Sequence, residues 1–516
     1  MGPARRDGRR AAAPGRPPHH PRLAWLPRHD RRPRRAGPTA VRPAPPALAR
    51  RGGGGTGARA PRAVSRLRVL ARYVAARRRS FADRAALEAW QDRLLARVLR
   101  RAPQRYAHYA DLFPDGPPRS LTDLPVLEKE DVLTHFAGLN RRGVGLEECL
   151  LAARSAERGR DFGTSLRGLS VGLSSGTSGR QTAFLTSGAE RDRWAGEVLA
   201  RALSDGLLAG ARITLVLRAG GPLYEAVGSR RIAFTYADLA LPVPELLQRV
   251  RDSRPTVLVA PPSVLVLLAR AEREGEVDAG WRADLARVLS AAEVLEPHDA
   301  ETIEAGLGVR ADQVYQAAEG FLGLSCARGT LHLAEDLVLV EREAVPGAAD
   351  GRFVPVVTDL VRSSQAVLRR RLGDVLVPGT CDCGDPRLAI ARVVGRSDDV
   401  LELPVVTADV TDPGGRGSSA EGAAGRGLFF PDFVRAAVLA VDGVTDFRVV
   451  QDGDDLTLAV APPQAFAPAR DALAAALGEA GLRPASITAT PLVPHDPRSK
   501  LRRVRRVPPT GAPDAR

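Results

Sequence analysis

Residues 168–203 read GLSVGLSSGTSGRQTAFLTSGAERDRWAGEVLARAL. Leu169, Val171 and Leu173 alternate with small polar residues, the period-two pattern of a half-buried strand. Ser174, Ser175, Gly176, Thr177, Ser178 and Gly179 follow. These small and hydroxyl side chains let backbone N–H and Oγ groups wrap phosphate oxygens, where a larger Cβ substituent would block approach. No Gly-Lys-Ser/Thr follows, so this is not a Walker A loop, and a Ser/Gly turn alone is more often a solvated connection. Ser187 and Glu190 form a capping box, after which Trp194, Val198, Leu199 and Ala202 mark one face of a helix. The order is strand, polar loop, helix.

The alternation continues through RITLVLRAG, the helix-patterned VPELLQRVRD, the apolar TVLVA, a Pro261-Pro262-Ser263 turn and VLVLLARAEREG. This predicts an α/β protein, with a large multi-sheet N-terminal domain expected. Upstream, Leu87, Trp90, Leu94 and Val98 recur at helical spacing, which predicts one amphipathic helix over 66–99. Downstream, the Gly/Ser-rich 411–427 reads as a linker. DFRVV, LTLAV, a helix over 467–480 and SITATPLV then make a small α+β domain. The expected organisation is a disordered leader 1–62, a large domain 63–396 and a small mobile domain 397–507.

Of the 516 residues 44% are apolar and 26% charged, enough to bury two or more cores. The net charge of +15 is misleading, because residues 1–60 hold fifteen Arg against only Asp7 and Asp30 and so leave +2 for the rest. The non-enzyme alternative, an Arg-rich nucleic-acid-binding protein, rests on that Pro- and Gly-dense leader alone. No apolar run reaches membrane-spanning length and LAWLP is too short for a signal core, so a cytoplasmic protein is expected.

Two further constellations stand out. Cys326-x5-His332 and Cys381-x-Cys383 supply three thiols and an imidazole, a set that suits tetrahedral Zn²⁺ but also fits unpaired thiols with a surface His. Glu319 and Asp374 each read as acids at ends of strands or turns. Lys500 lies in the basic tail SKLRRVRR, yet Lys is nearly absent: only Lys129 and Lys500 occur among 75 basic residues. A compact ammonium is not interchangeable with a planar guanidinium at a crowded anion.

Taken in order, SSGTSG, VLVAPPSVLVLLAR, YQAAEGFLGLSC, VTDL with AVLRRRLGD, GRSDDVLEL and PHDPRSKLRR resemble the adenylate-forming (acyl-CoA synthetase-like) superfamily. Within it they are similar to the phenylacetate-CoA ligase and coenzyme F390 synthetase-like branch, from about Phe81 to Val504. The resemblance implies ATP-dependent activation of a carboxylic, expected aryl, acid as acyl-AMP, with CoA as a possible acceptor. F390-like AMP transfer to an aromatic hydroxyl is the alternative. It implies that the 174–179 loop and Tyr315 hold the nucleotide, Glu319 holds Mg²⁺ and Asp374 accepts the ribose hydroxyls. Arg396 and Lys500 would face phosphate, Asp398 would be the hinge, and Cys326, His332, Cys381 and Cys383 would hold structural Zn²⁺. The acid itself is a small molecule; neither nucleic acid nor membrane is an expected partner. The chain departs from the family pattern at Arg180, expected here to carry the loop's positive charge, and at Gln181, Thr182, Ala318, Ala366 and Arg370.

Overall fold

The computed structural model describes residues 65–159, 163, 165–173, 181–203, 206–218, 228–275, 279–346, 348, 350–406, 425–496 and 499–507. The leader, the loop residues Ser174 to Arg180 and most of the 411–427 stretch lie outside them. The architecture is mixed α/β, with one twelve-stranded sheet, a four-stranded sheet and two smaller ones among the described residues.

Five strands form the parallel half of the large sheet, in the spatial order Ile232–Asp238, Ala211–Leu217, Val257–Ala260, Arg287–Ser290, Ala311–Ala317. The near-continuous apolar runs of Ala211–Leu217 and Val257–Ala260 follow from burial on both faces. Val257 and Leu289 enter one core with Ala195 and Leu199 of the helix Gly188–Ala202. Their neighbours Leu258 and Val288 point the other way, into a core with Leu246, Leu265 and Ile303 from the helices Val243–Asp252, Pro262–Arg273 and Pro297–Leu307. The strand Ala311–Ala317 is a seam, since its other edge pairs antiparallel with Gly320–Ser325 and begins the antiparallel half.

The single N-terminal helix expected over 66–99 is two helices, Arg66–Arg77 and Arg84–Arg105. Asp83 caps the second by accepting the Ala86 N–H at 2.8 Å. The break turns Arg79 inward, where it pairs with Glu197 at 3.1 Å and also with Asp336. Apolar periodicity does not register such a turn, because an inward Arg looks like one more polar residue. The first helix packs on Gly188–Ala202 at Gly196, where a Cβ would lie 2.6 Å from that of Arg72 and 2.8 Å from the Val69 carbonyl.

The C-terminal lobe has its own core, including Leu403, Phe429, Val434, Phe447, Leu458 and Leu473. Its sheet runs Ser486–Ala489, Asp455–Ala461, Asp446–Asp452, Val504–Arg506, packed with the helices Pro431–Leu439 and Phe466–Glu479. Three of these strands match expectation; the fourth comes from the basic tail. Val504 is buried in the lobe core and pairs in parallel with Val449. The strand Arg426–Phe429 begins inside the stretch expected to be linker and pairs with Leu401–Pro404.

Candidate active site

The parallel strands deliver their carboxyl ends to one edge, the place where open α/β sheets bind ligands. Pro261 follows one strand, Ala291, Ala292 and Glu293 another, and Ala318 and Glu319 the seam. A cavity of about 490 Å³ opens at this edge, with Glu319, Asp374, Arg396 and Lys500 in its wall. A cleft of about 150 Å³ shares the last three of these and continues beneath Leu501, Arg502 and Arg503.

Asp374 begins the strand Asp374–Pro378 and lies opposite Arg396, the last residue of Ala389–Arg396. Gly373 leaves the space this guanidinium occupies, since a Cβ there would come within 2.5 Å of Arg396 Nη2. Tyr315 Oη donates to Asp374 Oδ2 at 2.8 Å. Burial raises the pKa of Asp374, opposed by Arg396, the Tyr315 hydrogen bond and Lys500. Burial beside Asp374 pushes the Tyr315 phenol well up, which keeps it a donor. Arg396 is also paired with Asp398, the expected hinge residue, at 2.8 Å.

Lys500 retains solvent-exposed surface, but Asp374, Arg396 and Glu293 crowd its ammonium at the cavity wall. The loss of water on those sides lowers its pKa, with Asp374 the main opposing charge. The lysine is held by its neighbours. Glu293 Oε1 accepts the Leu501 N–H at 3.1 Å while Oε2 accepts the Ser263 N–H at 3.2 Å. Arg502 is paired with Asp399, and Arg503 donates to Asp299 at 2.7 and 3.1 Å and to Asp446 at 2.9 Å. Arg435 of the C-terminal lobe pairs with Glu296 at 2.6 Å. Glu293, Glu296 and Asp299, three residues apart, thus present carboxylates from the large sheet's side to that lobe. Sequence reasoning passed over all three. The only signal was their spacing opposite an Arg-rich tail, and charge complementarity alone does not name a partner.

Glu319 is placed where expected, past the seam strand, and Arg362 fixes its turn by donating to the Ala318 and Glu319 carbonyls at 2.9 and 3.2 Å. Its carboxylate, however, carries Arg370, a residue that departs from the family pattern. Arg370 Nε lies 2.8 Å from Glu319 Oε1, off the line of its own N–H, so charge more than hydrogen bonding joins them. Mg²⁺ binds through one or two carboxylates together with substrate phosphates, so Glu319 could hold it only alongside ATP, with Arg370 offsetting part of its charge.

The four zinc candidates do come together. Cys326, His332, Cys381 and Cys383 place their ligand atoms within 4.8 Å of one another. Cys326 Sγ lies 3.7 Å from Cys381 Sγ, and Cys383 Sγ lies 3.4 Å from His332 Nε2. A tetrahedral ion with ordinary Zn–S and Zn–N bonds has S···S and S···N edges of about 3.8 and 3.5 Å. His332 Nδ1 meets the Arg387 carbonyl at 3.0 Å, the outer contact that leaves Nε2 free to ligate. Cys149 is buried elsewhere. The donors fit zinc. No helix among the described residues is long and apolar enough to cross a membrane.

No family model matches the sequence, and no curated protein matches it. Solved structures do. 2-Hydroxyisobutyryl-CoA ligase in the postadenylation state, in complex with 2-HIB-AMP, superposes with a TM-score of 0.58 at 20% identity, over 83% of this chain and 91% of that one. The same enzyme in that state with R3-HIB-AMP gives 0.56 at 18% identity, over 81% and 88%. Its open conformation with 2-HIB-AMP and CoA gives 0.51 at 18% identity, over 83% and 93%. The seam sheet and the separate C-terminal lobe are thus built on the same fold as that ligase.

Proposed function

We propose that this protein is an ATP-dependent adenylate-forming enzyme. An acid carboxylate oxygen attacks the α-phosphorus of ATP, the bond from that phosphorus to the bridging oxygen breaks, and pyrophosphate leaves with the electron pair, giving acyl-AMP. The observation that carries this reading is the delivery of Lys500, from the C-terminal lobe, to the group formed by Asp374, Arg396 and Tyr315. Asp374, oriented by Tyr315 and balanced by Arg396, would accept the ribose hydroxyls. Lys500 and Arg396 would offset the charge that builds on the phosphate oxygens in the transition state, where preorganised cations act most strongly. ATP would bring its own magnesium as part of the substrate, and Ser174 to Arg180 would cradle its phosphates.

Residues 63–396 and 397–507 would act as a large and a small domain, hinged at Asp398, with CoA as the second substrate once the small domain turns. The Cys/His cluster would hold a structural zinc, and its position supports the phenylacetate-CoA ligase-like branch. Pyrophosphate release, with hydroxylamine trapping of the acyl-adenylate, tests the reading. Acid-dependent hydroxamate supports it. Release that depends on a deazaflavin hydroxyl and on no acid would favour F390-like transfer instead.

A further inference from the structure

The cavity that carries the polar group at its mouth continues between the helix Gly188–Ala202 and one face of the parallel sheet. That face presents every second residue of each strand, among them Ile213 and Leu215, then Val257 and Val259, so its character is uniform. Leu199, Ala202, Ile213, Phe234, Val257 and Leu289 line this inner part. Neither that helix nor those strands offer the lumen a charge or a hydroxyl. The charged lining residues come from 128–130, 319, 370–374, 396 and 500, all at the mouth. Ala291, Ala292, Ala317 and Ala318 stand where the two parts join, and their size leaves the passage wide.

Resting on the adenylation reading above, we infer that the acid is a medium- to long-chain alkyl or alkyl-aryl carboxylic acid with no polar group on its body. Its carboxylate lies at Lys500 and its body runs inward past Leu289 and Leu199 toward Ala202. Apart from the polar atoms of Thr182, Trp194 and Gln316, a hydroxyl or amine on the body would be desolvated against aliphatic and aromatic walls, which is costly. A short acid would leave the inner cavity unfilled and forgo that burial. Each added methylene that enters the inner cavity is worth about a fourfold gain.

The test is a series of acids from butanoate to tetradecanoate, with phenylacetate and 2-hydroxyisobutyrate, read by hydroxamate trapping on the full chain. The expected result is a kcat/KM that climbs about fourfold per methylene until the cavity is full, with 2-hydroxyisobutyrate among the poorest substrates. Ala202→Phe, which blocks the inner end, should move the optimum to shorter chains. Ala202→Leu should shift it less, and serves if the larger side chain disturbs folding. A flat series, or one led by butanoate or 2-hydroxyisobutyrate, would overturn the inference and leave the adenylation reading standing. If no acid is activated, the adenylation reading fails, and binding of dodecanoate against butanoate, followed by tryptophan fluorescence, still decides the cavity's preference. Equal affinities there would overturn it.

Discussion

Asp299→Asn should separate the two half-reactions. Asp299 is 2% exposed and takes two hydrogen bonds from the Arg503 guanidinium, three residues beyond Lys500. Hydrogen bonds to charged groups contribute roughly 1.5–3 kcal/mol net. Arg503 keeps Asp446 within its own lobe, so its charge is not stranded when Asp299 is lost. The asparagine retains one acceptor. The loss falls on the docked arrangement alone and comes to about 2 kcal/mol, a change of about thirtyfold in the docking equilibrium. Single-turnover formation of acyl-AMP, which in the proposed mechanism has Lys500 docked, should fall tenfold or more. Transfer from synthetic acyl-adenylate to CoA, which in the proposed mechanism has the lobe turned away, should be unchanged or faster. Unaltered adenylation, or equal loss in both half-reactions, would refute the docking role of Asp299.

Lys500→Ala should lower adenylation roughly a hundredfold or more while ATP affinity and Tm stay close to the parent's, as expected of a donor used mainly in the transition state; Lys500→Arg should also be poor, and near-normal turnover by it would reduce Lys500 to a tail charge. Elemental analysis should find one zinc per chain, lost in Cys381→Ala with Cys383→Ala together with a fall in Tm, and zinc that survives the double change would refute the site. Burial raises the Glu296 pKa to about 7 despite Arg435 and Arg503, so the folded chain holds a proton that the unfolded chain releases at lower pH. That stabilisation is complete at acid pH and is lost as pH rises through about 7; the parent's Tm should therefore decline relative to Glu296→Gln between pH 5 and 8, and parallel profiles would refute the assignment.

The parts of the molecule legible in the sequence are those whose signal is local. VPELLQRVRD is a helix over Val243–Asp252, and TVLVA and RITLVL are strands buried on both faces, because apolar spacing records which side meets a core. Motif order grouped Tyr315, Glu319, Asp374, Arg396 and Lys500, and the structure sets them along two adjoining cavities, with Glu319 in one, Tyr315 in the other and Asp374, Arg396 and Lys500 in both. What escaped is mostly pairing at a distance. In a chain that uses Arg almost everywhere, nothing local tells Arg370, set against Glu319, from Arg371, which pairs with Glu128 and Glu343. The tail strand was hidden for a related reason. Its charged neighbours mask a single buried Val504, and only the long-range partner Val449 makes it a strand.

That strand sets a limit on how the lysine travels. From Lys500 to Val504 the chain has four steps, and four extended residues reach at most about 14 Å. Beyond that radius Lys500 cannot retreat on a loop of its own; the lobe must be carried with it. In the proposed hinge motion, Lys500 is tethered to a packed lobe and would follow the slow clock of a hinged mass rather than the fast flutter of a tail. The last strand among the described residues is also the anchor of the proposed chemistry, and trimming the chain just past Arg503 would leave Lys500 in place in the sequence but cut loose from its mooring.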